Sequence, residues 1–413
     1  MGMDVVASYA HPGIYVCKTT AGTIRSWLRR LNEYSIGVAK VKKILLGTTA
    51  IAAAALYAQS AQAQITVSLG GYTEFFGAYY DDDVPGRTSR EFQLETEVVV
   101  RADGKADNGL LYGAKVELQN GQTSGVTTDE ASVYLSGTWG RIELGDFDGA
   151  ADTLAIYAPL VGIEQIDGDA YDFMSVNAGG TLFGAQPFFG LVKAPDSGDS
   201  TKIMYLTPRF AGVQAGVSYA TQNQSEAQSV VALKTTTPSY KDFWEFGANY
   251  TGTFAGFSVA LGATGSMGSG EDRQFPPFAA PTQLEDFFAW QAGAQLGYAG
   301  FKFGGGYIDG DDFGARRNTE AGDATAWHVG ASYTAGPFAV GVTYADAEGA
   351  KSDFVTYAED YKTYGGGVAY TVAPGLVLQA DLMFIDETVV NTGSGFRADN
   401  EGYVAVLSTR LNF

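Results

Sequence analysis

The chain has one cysteine, two histidines and 12 prolines in 413 residues. Cys17 and His11 both lie in the first forty residues, so beyond residue 64 there is no cysteine and only His328. A disulfide framework and a Cys/His zinc site are excluded together. After residue 64 there is also no apolar run near the eighteen or so residues that a spanning helix needs. If the chain crosses a bilayer, it does so as strands. In hydrocarbon every backbone N–H and C=O must pair within the protein, so strands can cross only as a closed barrel. Basic charge is scarce, with 26 Lys/Arg against 46 Asp/Glu and a formal charge of −20. Residues 1–63 hold seven Lys/Arg and two Asp/Glu, which leaves 19 against 44, or −25, on the remainder. Such an acidic chain disfavours nucleic acid and other anionic partners. What is abundant is glycine (54), tyrosine (24) and phenylalanine (25), a composition of aromatic-rich strands rather than packed helices.

Residues 1–40 show no pattern. Val41-Lys42-Lys43 then opens an Ala-rich apolar run to Ala58, followed by Ala61-Gln62-Ala63. A basic start, an apolar middle and an A-x-A site describe a secretory signal peptide at 41–63. Residues 1–40 are accordingly expected to be upstream sequence, with translation starting at Val41; a genuine extension ahead of an internal signal is the alternative. Either way the mature protein is expected to be 64–413, beginning at Gln64.

From there, period-two alternation is sustained. Ile65, Val67, Leu69 and Phe75 alternate with Thr66, Ser68, Tyr72 and Glu74; Phe92, Leu94, Val98 and Val100 alternate with Gln93, Glu95, Glu97 and Arg101. Short turns fall at 104–109, 137–140, 207–212, 252–256, 299–300, 335–337 and 373–375. Longer polar loops fall at about 81–90, 121–128, 148–200, 222–240, 268–284, 310–322, 347–359 and 388–399. Seven turns alternating with eight loops predict sixteen antiparallel strands, the even number that a transmembrane β-barrel requires. Aromatic clusters at Tyr79 and Tyr80, at Phe287, Phe288 and Trp290, and at Tyr357, Tyr361 and Tyr364 read as interfacial girdles. The last strand alternates up to the terminal Phe413. By parity the interior face carries Glu74, Glu95, Glu97, Arg101, Lys115, Glu117, Arg141, Glu143, Lys202 and Arg410, five acids and five bases.

One stretch departs from this pattern. Val133 to Gly145 forms a glycine-punctuated hairpin, after which the chain stays irregular for some fifty residues, far longer than an ordinary connection. The hairpin Val133-Tyr-Leu135-Ser-Gly137-Thr-Trp139-Gly140-Arg-Ile142-Glu-Leu144-Gly145 resembles that of the general porins of Gram-negative outer membranes. The aromatic carboxy-terminal strand resembles their assembly signal. The resemblance implies an all-β, 16-stranded transmembrane barrel, a homotrimer in outer-membrane lipid, with a long third loop (148–200) folded into the pore. It also implies a basic ladder on the wall, matched by position and face by Arg101, Lys115, Arg141 and Arg410, opposite acidic groups on that loop. The loop supplies Asp148, Asp152, Glu164, Asp167, Asp169 and Asp172, but it lacks the family's usual Pro-Glu-Phe-Gly-Gly stretch, so its path is left open.

The expected function is a water-filled channel for passive diffusion of small hydrophilic solutes and ions. Since the wall charges cancel and the loop adds carboxylates, a cation preference is expected. The alternatives are a substrate-selective channel of the same fold, or a plugged barrel with a structural or adhesive role. Asp167-Gly-Asp169 with Asp172 offers oxygen ligands of the kind Ca²⁺ takes, but without EF-hand spacing, and reads first as a solvated acidic loop. An enzyme would need His328. Its nearest same-face serine, Ser332, is roughly 13 Å along the strand, beyond hydrogen-bond reach. Neither catalysis nor a cofactor is expected.

Overall fold

The computed structural model describes residues 65–83, 86, 88–120, 125–162, 173, 193–223, 226–227, 240–270, 284–313, 324–349, 357–391 and 396–413, the side chains of 357–359, 389, 391, 396 and 398 excepted. The segments 1–40 and 41–63, and loop residues Glu164, Asp167, Asp169 and Asp172, lie outside the described residues.

Sixteen strands follow one another: β1 (Thr66–Asp82), β2 (Arg90–Lys105), β3 (Leu111–Asn120), β4 (Val126–Gly137), β5 (Gly140–Asp146), β6 (Thr201–Leu206), β7 (Val213–Gln222), β8 (Tyr240–Phe254), β9 (Phe257–Gly270), β10 (Phe287–Tyr298), β11 (Phe301–Asp311), β12 (Ala324–Ala335), β13 (Phe338–Glu348), β14 (Tyr357–Ala373), β15 (Leu376–Asn391) and β16 (Phe396–Asn412). Each pairs antiparallel with its sequence neighbours, and β1 pairs with β16, placing Glu74 opposite Arg410 and closing the barrel. Closure leaves no strand edge unpaired, the condition for strands to stand in hydrocarbon. Connections fall in the expected order, but the lengths do not alternate throughout: 121–125 and 392–395, expected as long loops, are no longer than the turns at 106–110 and 207–212. The strands run further on the long-loop side than their alternation indicates: β15 extends to Asn391 and β16 begins at Phe396, inside the expected 388–399 loop. There apolar and polar residues no longer alternate, with Val389 beside Val390 and Val390 opposite Arg397, so the two-residue period fades while the ladder continues, and the Thr388 hydroxyl donates to Asp399 at 2.9 Å.

The outward face is apolar. Val67, Leu69, Phe75, Phe92, Val342, Val368, Leu382 and Leu407 are all exposed on it. Aromatic rings pair across neighbouring strands at two levels over β9–β16 and β1. On the long-loop side, contacts run from Trp290 to Tyr307 (5.6 Å between centroids), Trp327 to Tyr344 (5.0 Å), Tyr364 to Phe384 (5.2 Å) and Tyr79 to Tyr403 (6.2 Å). On the turn side are Phe257 with Tyr298, Phe301 with Tyr333 and Phe338 with Tyr370. The expected girdle clusters are only half right. Tyr80, Phe287 and Tyr361 are buried inside the barrel, because successive strand residues point to opposite faces. Phe287 packs there against Tyr240, Phe243 and Phe313.

Candidate functional site

The two described limbs of the connection from β5 to β6 enter the interior. The first limb leaves β5 through Phe147, makes the single-turn helix α1 (Ala150–Thr153) and then runs extended to about residue 162. This limb lies against the inner wall, where side chains of successive strands hold its backbone. The Ser218 hydroxyl of β7 accepts from the Ala150 N–H at 3.0 Å. Asn249 of β8 donates to the Leu154 carbonyl at 3.2 Å, and Gln295 of β10 donates to the Tyr157 carbonyl at 2.7 Å. His328 Nδ1 on β12 accepts from the Ala158 N–H at 3.3 Å. These bonds meet the demand of a non-regular backbone removed from water.

Inward-facing glycines make room for the path. A Cβ on Gly293 would lie 1.6 Å from the Ile156 carbonyl oxygen, and one on Gly262 would lie 2.8 Å from the Ile156 side chain. Any side chain at Gly293 would lift the limb off the wall. Further on, Leu160 and Tyr157 pack against a buried apolar surface that includes Phe243, Ile308, Met383 and Val404, while Phe173 meets Phe76 of β1 edge-on at 5.9 Å. The inner faces of β8–β16 thus carry much buried apolar surface, beside buried polar groups such as Glu245, His328, Asp381 and Glu387. The inner faces of β2–β5 carry a denser group of charges.

The expected wall residues all lie on the inner face, but most are neutralised in place. Arg410 pairs with Glu74 at 3.0 Å and its guanidinium stacks 3.7 Å over Tyr72, while Gln379 also donates to Glu74, which is 1% exposed. Glu95 accepts from the Tyr72 hydroxyl. Arg141 pairs with Glu143 at 2.8 Å and lies over Tyr134; the Ser132 hydroxyl completes that carboxylate. Lys115 is held by Glu117 at 3.0 Å and by Glu130. Lys202 is not an open wall charge: it is buried under the loop, where its ammonium donates to two backbone carbonyls. Arg101 is exposed and has no ion-pair partner among the described residues.

Asp129, Glu130 and Asp199 were not expected from the sequence, and they join Glu97, Glu117 and Asp148, which were. Carboxylate oxygens of Glu97, Glu117 and Asp129 lie within 4.8 Å of one another, as do those of Glu130, Asp148 and Asp199. Both Asp129 and Glu130 reach the interior because the β3–β4 register shifts between Val116 and Leu118. A bulge of this kind breaks strict alternation, so parity cannot place both. Asp148 belongs to the outgoing limb and Asp199 to the returning one. Lys193 bridges the limbs, 3.3 Å from Asp152 and 3.6 Å from Asp196. Burial pushes the Asp152 carboxyl above the usual range against the pull of Lys193. Burial, with Asp148 and Asp129 nearby, pushes Asp199 up to about 6. These acids could in principle gather a cation, yet an acidic cluster of itself defines no metal site. Electrostatically, the arrangement gathers carboxylates from β2, β3, β4 and both limbs of the loop on one side of the interior.

Comparisons with known proteins agree with this geometry. A family profile described as Gram-negative porin matches residues 47–389. No curated protein matches the chain. Among solved structures, an anion-selective porin from Comamonas acidovorans is similar at 19% identity, with a TM-score of 0.54 over 85% of this chain and 100% of that one. A loop-deletion variant of OmpT, an outer membrane protein of Vibrio cholerae, is similar at 13% identity, with a TM-score of 0.53 over 84% and 99%. A variant of the Rh. blastica porin is similar at 18% identity, with a TM-score of 0.53 over 84% and 100%. At these identities the structures speak to the fold.

Proposed function

The chain belongs to the Gram-negative porin family and forms a channel in the outer membrane, and from that premise we propose that its pore passes small hydrophilic solutes and ions by diffusion with a preference for cations. The observation that carries the preference is the convergence of Glu97, Glu117, Asp129, Glu130, Asp148 and Asp199 on one side, where the neighbouring cations are Lys115, already shared between two carboxylates, Arg101, and Lys202, buried against loop carbonyls. A low-dielectric wall lined by one sign of charge concentrates counter-ions and repels co-ions.

A second reading, a narrower and solute-selective channel, is favoured by the outgoing limb packed on the inner wall, where Tyr157 and Leu160 meet buried apolar side chains, which leaves less of the cross-section to water. Trimer formation is proposed for the outer face of β3–β6. The long-loop girdle is not continued there, and Val116, Val126, Val133, Leu144 and Ile203 face outward instead. Conductance and reversal potential in planar bilayers test the proposal. An ohmic channel with a cation-selective reversal potential in a KCl gradient is expected. A small conductance blocked by one solute class would favour the second reading, and an anion-selective potential would overturn the cation preference.

A further inference from the structure

The 54 residues between β5 and β6 begin and end side by side, and two oppositely charged side chains each hold both ends. Lys202, at the start of β6, donates to the Phe147 carbonyl of the outgoing limb and to the Gly198 carbonyl of the returning limb. Glu245, on the neighbouring inner face of β8, accepts from the Ala151 N–H of the outgoing limb at 3.0 Å. It also accepts from the Ser197 N–H at 2.9 Å and the Ser197 hydroxyl at 2.5 Å on the returning limb. Glu245 is 1% exposed and Lys202 3%, and the two charges attract one another. The fit is close: a Cβ on Gly149 would lie 1.7 Å from the Glu245 carboxylate, so the outgoing limb can cross it only as glycine. The Ser266 hydroxyl donates to the Pro195 carbonyl beside them.

We propose that Lys202 and Glu245 form an ionic clasp that closes the base of this loop and positions its acidic residues across the water path. The pair acts through the backbone, not by contact with the permeating ion, so both are positioning residues. This inference rests on the reading of the loop as the pore's constriction. A buried carboxylate and a buried ammonium are each costly alone, and the cost is offset only when partner charge and hydrogen bonds are all present. Here those bonds are made by the two limbs, so the charges are satisfied only while both limbs stay docked. Asp148 sits between the two outgoing anchors, Phe147 and Ala151. Asp196 and Asp199 flank the two returning ones, Ser197 and Gly198. Release of either limb would therefore move acids that face the pore.

The test uses the full-length protein, folded and inserted in planar bilayers, with E245Q, K202M and the double variant. E245Q turns an N–H₂ toward backbone N–H donors, and K202M leaves two carbonyls and the Glu245 charge bare. Each single variant is expected to raise open-channel current noise severalfold, to close at lower applied voltage and to reduce the cation/anion permeability ratio at least twofold in dilute KCl. The double variant should be no worse than the worse single one, because members of one clasp are coupled and their effects do not add. Heat-modifiable migration, which reports the barrel, should not change. E245D keeps the charge on a shorter arm and carries the same test if E245Q does not insert; raised noise is expected there too. Wild-type noise and selectivity in the inserted variants, or effects that add, would overturn the clasp. No conductance from the unmodified protein would instead overturn the channel reading on which it rests.

Discussion

Replacing Asp148 and Asp199 with Asn removes two charges from the acidic group in which carboxylate oxygens of Glu130, Asp148 and Asp199 approach within 4.8 Å. A monovalent ion passing about 7 Å from one such carboxylate in water feels about 0.6 kcal/mol. At 0.1 M salt, with a Debye length of about 10 Å, screening halves this to about 0.3 kcal/mol. A cation gains that energy and an anion loses it, so each carboxylate alters the cation/anion permeability ratio about threefold. The double variant should thus lower the ratio by about eightfold in dilute KCl. At 1 M salt, where the Debye length is about 3 Å, the effect should nearly vanish. Proton titration supplies an independent check, since Asp199 is pushed up to about 6 by burial and its acidic neighbours. It is mostly ionised at pH 7.5 and mostly neutral at pH 5, so negative charge is lost, and cation preference falls, as pH drops through that window. The buried Asp152 shifts in the same direction. Reversal potentials across a tenfold KCl gradient, measured for both proteins between pH 5 and 8, decide the matter. A D148N/D199N channel with unchanged selectivity at low salt, or an unmodified channel indifferent to pH, would show that these residues do not face the ion path.

Two further predictions address the loop and the barrel. Gly293→Val should drive the limb away from β10, since even its Cβ would meet the Ile156 carbonyl; a cost of about 1–3 kcal/mol is expected from overpacking. Noisier single-channel currents with an intact heat-modifiable barrel would register it, and a quiet wild-type trace would refute the described path. Val342→Lys, at a position 60% exposed on the outer face between Phe338 and Tyr344, should destabilise the protein by about 2–4 kcal/mol in urea-induced unfolding from bilayers. Ala339→Lys on the inner face of the same strand should cost much less, and equal costs would mean that the outward face does not meet hydrocarbon.

The barrel was legible because one constraint repeats in every strand: lipid outside and water or loop inside force a two-residue period, and turns interrupt it. Strand number and connection order follow from the turns, and the inner placement of Glu74, Glu95, Glu97, Arg101, Lys115, Glu117, Arg141, Glu143, Lys202 and Arg410 follows from parity. Parity says nothing about what lies over a residue. Lys202 reads like Arg101 in the sequence, yet one is buried beneath the loop and the other exposed. Asp129 and Glu130 were missed because a bulge suspends parity at that point. Glu245 was missed for a different reason: a lone carboxylate on an inner face takes its role from backbone donors roughly fifty and ninety residues earlier in the chain, and backbone donors have no sequence signature. The glycines that admit the limb look like the many others in the strands until the limb is seen against them.

The division of the interior bears on where the field in the pore originates. On the wall, Arg410, Arg141 and Lys115 each sit against at least one carboxylate, so they contribute local dipoles whose influence falls off faster with distance than that of a net charge. Lys202 is covered, and its charge is spent on the loop's own carbonyls. Among the described residues on this side of the barrel, the groups left over are Arg101 and the carboxylates gathered around Asp129, Asp148 and Asp199. Two of those three acids sit at or beside the loop and the third sits where β4 bulges toward it. If the proposed cation preference holds, it should depend on how the loop is docked more than on the ladder of basic residues on the wall, so exchanging wall arginines for lysines should matter less than loosening the loop's base.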